Sequence, residues 1–439
     1  MSERAVAHRV AERSARESYG KLLAYLAARC GNFSAAEDAL ADAFALALER
    51  WPSDGVPRTP EAWLLVTARH RLFDRVRRDQ RADRLHHRLV QAARDAQQEF
   101  EKTNDLADER LAMMFACAHP AIPHDIRGPL ILQAVLGLDA ARIASAFLVA
   151  PATMGQRLVR AKRKIAAARI PLRVPAAEEL PERMGAVLAA IYATFAHGWD
   201  DPTGLDPRSH GLVAEALWLG RLVAQTCPGE PEPLGLIALM LHANARYAAR
   251  RSVAGAYVPL GDQDPSRWDT AAIGEAESLL RRAARMGLPG RFQIEAAIQS
   301  AHAVRRFRRE PDWNVILTLY DDLLRLTKSP VVALNRAVAL GRVDGARAGL
   351  AALAAVAADA RLGQYQPYWA ARADLLSRAG DVDEARTAYA RAIGLTIDLS
   401  VRQYLTYAAE RCANLASSMA KTTPAPKTMA ANAAAAERP

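Results

Sequence analysis

The stretch LILQAVLGLDAARIASAFLVAPATMGQRLVRAKRKIAAARI, residues 130–170, decides how this chain is read. An apolar segment, Pro129–Leu136, stops at Gly137, the residue type that most easily takes the left-handed conformation closing a helix. Asp139 is placed to cap a second helix, Ala140–Leu148, on which Ile143, Ala144 and Phe147 share a face. A short turn at Val149–Pro151 leads into a third helix. There Met154, Leu158, Ala161 and Ile165 recur at i, i+4, i+7 and i+11, which is one buried stripe. Thr153, Gln156, Arg157, Arg160, Arg163 and Lys164 fall outside it. This is the layout of a DNA-binding helix-turn-helix, in which the start of the last helix meets base edges and its basic remainder meets phosphates. An ordinary hairpin with a basic surface is the alternative. Turn length, core spacing and charge together favour the DNA-binding reading.

Upstream, Ser34 with Glu37 three residues on reads as a capping box opening a helix to about Trp51. Leu40, Phe44, Ala47 and Trp51 form its apolar face, while Asp38, Asp42 and Glu49 lie on another. That acidic stripe is either a solvated side or a docking strip for a basic partner. The Pro/Gly-rich PSDGVPRTP (residues 52–60) then turns the chain. A second helix begins at Pro60, with Leu65, Ala68, Leu72 and Val76 inward. Its other side carries Arg69, Arg71, Arg75, Arg77, Arg78, Arg81 and Arg84, seven arginines within 16 residues. Arginine at that density suits phosphate neutralisation and bidentate contacts to bases. His70 lies among them, as a surface or packing residue or as a further DNA contact.

Charge supports a polyanion as partner of this part only. The 439-residue chain has a formal net charge of +10, and up to Pro175 it holds 28 Lys and Arg against 20 Asp and Glu. The remainder is nearly balanced, so the surplus is local. Abundant alanine and the lack of alternating strand patterns point to an all-α fold. The four cysteines have no zinc-ligand spacing. There is no signal-peptide core and no apolar run long enough for a membrane span, so a cytoplasmic, reduced protein is expected. No phosphate-binding Gly loop, His-Glu metal motif or nucleophile elbow occurs, so no enzyme, cofactor or metal is expected. Cys117, His119 and His124 in CAHPAIPHD read as a structural loop.

The chain after IPLRVPAAEELP (residues 170–181) reads as helix after helix. Thr270–Met286, Phe292–Phe307 and Trp313–Thr327 are amphipathic. Trp369, Ala373, Gly380, Ala385, Tyr389 and Ala392 follow the spacing of a tetratricopeptide repeat. GRVDGAR at Gly341 and GDVDEAR at Gly380 share G-x-V-D-x-A-R, which predicts two related helical hairpins. Stacked hairpins bury each other's apolar faces and form a concave surface for a protein or peptide ligand, or serve as structure alone. The tail, residues 419–439, is low in complexity and expected to be disordered.

Three segments together resemble the extracytoplasmic-function group of the sigma-70 family of RNA polymerase sigma factors. AAEDALADAFALALERW (residues 35–51) is similar to the group's polymerase-binding helix. EAWLLVTARHRLFDRVRRDQR (61–81) is similar to its promoter −10 helix, and ARIASAFLVAPATMGQRLVRAKRKI (141–165) to its −35 reader. The resemblance covers about residues 18–170, in the family's order. It implies two small helical sigma domains, region 2 at 1–88 and a region 4 helix-turn-helix at 108–173, joined by a linker at 89–107. A tetratricopeptide-like regulatory extension at 181–418 would follow. It further implies that Asp38, Asp42 and Glu49 meet core RNA polymerase. Arg69, His70, Arg71, Arg75, Arg77 and Arg78 would contact the −10 element, and Thr153, Gln156, Arg157, Arg160, Arg163 and Lys164 the −35 element of promoter DNA. The sequence departs from the family at His70, where asparagine is common, and at Arg142, where an acidic residue is usual. A stand-alone regulator, or a repeat scaffold with a nonspecific basic arm, is the competing reading.

Overall fold

The computed structural model describes residues 3–79, 105–146, 149–199, 211–287, 289–357, 359 and 362–422. Over these the chain is all-α. A lone antiparallel bridge, Arg251 to Tyr257, stands where a sheet would begin, and no strand occurs among the described residues. The chain divides into two compact units, Met1–Met240 and Leu241–Pro439.

The first unit begins with α1 (Glu3–Cys30), α2 (Phe33–Asp54) and α3 (Pro60–Asp79), each packed on the other two. Ala7, Ala11, Ser14, Ser18, Leu22 and Leu26 give α1 a buried stripe at helical spacing. The expected capping box is not what starts α2. Asn32 is the cap, its side-chain oxygen accepting from the Ala35 N–H at 3.1 Å. Ser34 and Glu37 therefore sit inside the first turns, and Glu37 is left for a distant partner. α2 also continues through Pro52 to Asp54, so the loop predicted from Pro52 is shorter and begins at Gly55, with φ 84°. Leu40, Ala47 and Trp51 are buried as expected. Trp51 meets Trp63 edge-on, with ring centroids 5.5 Å apart, and ties α2 to α3.

Next come α4 (Asp105–Cys117), α5 (His124–Leu136), α6 (Ala140–Ala146) and α7 (Pro151–Ala167). Helix α5 starts five residues before the predicted Pro129, and Gly137 closes it in the left-handed conformation, its N–H bonding to the Gln133 carbonyl. The predicted end of the next helix at Phe147 and Leu148 lies outside the described residues. The loop CAHPAIPHD is held by the buried Arg127, which donates to the Ile122 and Pro120 carbonyls. Within it the Cys117 thiol is buried and desolvation pushes it up to about 12, while the Ala121 N–H donates to the His119 Nδ1.

Helix α1 packs on α4 and α5 as well as on α2 and α3. The α1–α5 approach is close: a Cβ added at Gly20 would lie 1.7 Å from the Val135 carbonyl oxygen. Only glycine fits there. Helices α8 (Leu180–Trp199) and α9 (Leu212–Thr226) pair with each other, and both lie on α4, α8 also on α5. Arg110 of α4, buried, forms an ion pair with Glu215 of α9 and lies over the Trp218 ring. The first helices beyond the Pro-rich boundary thus belong to the same compact body as the helix-turn-helix.

Helix α10 (Glu232–Ala245) crosses the division between the units. The second unit continues with α11 (Thr270–Ala284), α12 (Arg291–Ala303), α13 (Trp313–Thr327), α14 (Pro330–Val343), α15 (Ala346–Val356), α16 (Gln366–Ala379), α17 (Val382–Leu395) and α18 (Leu399–Thr422). From α11 onward each helix packs on its successor. In the α16–α17 hairpin Ala373, Ala385, Tyr389 and Ala392 are buried together, with Trp369 against them and Gly380 left-handed at the turn. Small residues let the two backbones approach. The shared G-x-V-D-x-A-R falls in different registers of its two hairpins. Gly380 makes a turn, whereas Gly341 lies inside α14 and Gly345 makes the turn there, with φ 91°. Helix α18 runs to Thr422, and residues 423–439 lie outside the described ones.

Candidate nucleic-acid interface

The third helix of the helix-turn-helix is α7. Pro151 occupies its first turn, where a missing N–H costs nothing, and Ala150 precedes it in extended conformation. Met154, Leu158, Ala161 and Ile165 are all buried, which fixes the rotation of the helix. Thr153, Gln156, Arg160, Arg163 and Lys164 are consequently exposed on its outer side. Arg157 is half-buried and pairs with Asp125 at 3.3 Å. Such a largely solvent-exposed pair is worth under about 1 kcal/mol, so Arg157 can exchange it for a contact to DNA. The Arg160 Nε donates to the Gln156 carbonyl at 3.4 Å, leaving the rest of the guanidinium facing outward. Six expected DNA-contacting residues therefore share one helix, five of them exposed.

The second basic surface is less open than predicted. On α3, Leu65, Ala68 and Leu72 are buried. His70 is exposed, but Arg69 and Arg71 are half-buried, and among the described residues the enclosed Arg69 Nη1 has no hydrogen-bond partner. The side chains of Val76, Arg75, Arg77 and Arg78 lie outside the described residues, as do Arg81 and Arg84 altogether. On α2, Asp38, Asp42 and Glu49 are all exposed, an acidic strip presented to solvent. Burial, with help from the Glu37 and Asp38 carboxylates, pushes the nearby Tyr19 phenol well above its ordinary value.

One pair was not anticipated. Lys162, within the basic run of α7, is buried, and its Nζ lies 2.7 Å from both carboxylate oxygens of Glu37 on α2. The ammonium also lies 5.7 Å from the centre of the Phe33 ring. Removing either partner strands a largely buried charge, at a cost of about 3 kcal/mol or more. Periodicity held a partial signal: Lys162 follows Leu158 by four residues and so flanks the apolar stripe. Its partner, 125 positions away, left none.

Among the described residues no group of three or more histidines, cysteines or acids is placed to hold a metal ion, and no helix is long and apolar enough to cross a membrane. Residues 15–82 match the family described as Sigma-70 region 2, a match that takes in α1 from residue 15 onward, α2 and α3. Residues 183–284 match a family of unknown function, DUF6596. The chain is similar to the Uncharacterized protein R00370 of Rhizobium meliloti (strain 1021), 39% identical over 393 residues, which cover 89% of this chain and 92% of that protein. No solved structure matches the chain. With a relative matched over nearly its whole length, the chain belongs to the family of R00370, and the Sigma-70 region 2 match at its start supports a sigma factor of the sigma-70 family.

Proposed function

We propose that this protein is a sigma factor of the extracytoplasmic-function type that directs promoter-specific initiation. The observation that carries this reading is the pairing of a region 2 match with a separate helix-turn-helix whose outer helix is basic and exposed. Region 2 (1–88) holds core polymerase through Asp38, Asp42 and Glu49. It meets the −10 element through Arg69, His70, Arg71, Arg75, Arg77 and Arg78. After the linker (89–107), region 4 (108–173) meets the −35 element, with Thr153, Gln156, Arg157 and Arg160 towards bases and Arg163 and Lys164 towards phosphates. The protein contributes no bond-making chemistry of its own. In the extension (181–418) the late hairpins are tetratricopeptide-like, and the extension regulates when the two DNA-reading parts engage, through a protein or peptide ligand. The buried small residues of α16 and α17 support the tetratricopeptide-like packing.

Reversing charge on the docking strip separates polymerase binding from DNA binding. With Asp38→Arg and Asp42→Arg together, comigration with core polymerase in gel filtration is expected to weaken about tenfold or more, since like charge then faces a basic partner surface. Binding of isolated promoter DNA is expected to persist. Unchanged comigration would remove the assigned role of α2.

A further inference from the structure

Past α12 the chain runs through RRFRR, residues 305–309, four arginines around one phenylalanine. Arg305, Arg306 and Phe307 line a cleft of about 590 Å³, completed by Pro265, Ser266 and Thr270 where α11 begins. That volume lies in the range of small-molecule sites, roughly 300–1,000 Å³. The two lining arginines differ. Arg305 is spent on the fold: its guanidinium donates to the Leu260 carbonyl and, at 2.7 Å, to the Gly261 carbonyl, fastening the segment ahead of α11. Arg306 is not. Among the described residues it makes no hydrogen bond or ion pair, and its Nε is enclosed without a partner. Its guanidinium carbon lies 4.9 Å from the centre of the Phe307 ring, which is 78% exposed. An arginine held without an acceptor is open to an anionic one. The nearest acids in sequence do not supply it. Asp264 accepts from the Ser266 N–H at 2.9 Å and from its hydroxyl at 2.8 Å, and Asp269 caps α11 by accepting from the Ala271 and Ala272 N–H groups. The local field is positive as well. Burial first, then Arg246 and Arg305, pushes His302 down to about 4. Burial also takes His242 to about 4, with Arg246 and Arg306 acting against the opposite pull of Glu277.

We propose that this cleft in the extension binds a small phosphorylated molecule with a planar ring, a nucleoside monophosphate, Arg306 taking the phosphate and Phe307 the ring. A guanidinium matches phosphate oxygens in pairs, and one uncommitted arginine suits one phosphate group. A bare phosphate would leave most of the cleft and the exposed Phe307 ring unused. An aromatic face stacks on any base, so the ring is specified only by class. The site does not depend on the promoter reading.

Isothermal titration calorimetry on the full-length chain at fixed low salt tests this, with AMP, CMP, inorganic phosphate and adenosine as titrants. Wild type is compared with Arg306→Gln, Phe307→Ala and Arg308→Gln, after circular dichroism confirms native helix content. Arg305 is left in place because it holds the segment ahead of α11. Wild type is expected to bind a monophosphate more tightly than either inorganic phosphate or adenosine. Arg306→Gln is expected to weaken that binding by about tenfold or more, the effect of losing a charge-assisted contact. Phe307→Ala is expected to weaken it by about tenfold while leaving any binding of inorganic phosphate unchanged. Arg308→Gln, an exposed arginine of the same run outside the cleft, is expected to bind as wild type does. No binding of either monophosphate would overturn the proposal, as would phosphate or adenosine binding as tightly as AMP and CMP. An equal loss in the Arg306 and Arg308 variants would also overturn it, showing diffuse attraction to a basic run, as would folded Arg306 or Phe307 variants with wild-type affinity.

Discussion

Gly20→Val is expected to lower the first unfolding midpoint of this protein by roughly 5–10 °C in differential scanning calorimetry. Valine or even alanine normally gains helix propensity over glycine, by up to about 1 kcal/mol in alanine's case. Here the first added carbon would meet the Val135 carbonyl oxygen at 1.7 Å, well inside van der Waals contact, and that oxygen belongs to helix backbone. A backbone atom cannot rotate away, so α1 and α5 must part. Overpacking of this kind costs about 2–3 kcal/mol, more than the propensity returns. A midpoint equal to wild type would mean that the α1–α5 seam is looser than described.

Replacing Gln156 and Arg160 together by alanine is expected to reduce transcription from the preferred promoter by about tenfold or more. A well-made base contact discriminates by about 1–3 kcal/mol, and both side chains stand exposed on the outer side of α7. The loss should be confined to templates carrying the preferred −35 sequence. Arg163→Ala, in contrast, should weaken binding on all sequences alike and flatten the dependence on salt, because a phosphate contact carries no sequence. Equal losses on every template for the Gln156 and Arg160 variant would show that α7 grips the backbone and reads nothing.

Local features were legible in the sequence. The stripe Met154, Leu158, Ala161 and Ile165, the stop at Gly137 and the start at Pro60 all follow from helical spacing and single-residue chemistry, and the structure has each of them. What distant contacts decide was not legible. The capping box at Ser34 and Glu37 fits its pattern, yet Asn32 caps the helix and Glu37 turns to Lys162, because a buried ammonium needs a carboxylate more than an exposed helix end needs a second cap. Arg69 and Arg71 look solvent-facing on a list of arginines, but packing leaves them half-buried. Gly20 carries no motif at all, and only the approach of α5 gives it meaning. The Pro-rich segment before α8 reads as a boundary, whereas apolar faces on α8 and α9, with Arg110 and Glu215, fasten those helices to the region before it. Shared letters in the two late hairpins likewise concealed a shift in register, since a turn can be made by any well-placed glycine.

The central claim is that this chain brings polymerase to promoters by touching DNA in two places. In vitro transcription with sigma-free core polymerase and the full-length chain, on a randomised promoter library at fixed salt, tests it directly. Transcripts should arise from templates enriched for one paired −35 and −10 sequence at a set spacing. Start sites no more frequent than with core polymerase alone, or enrichment that shows no such pair, would contradict it.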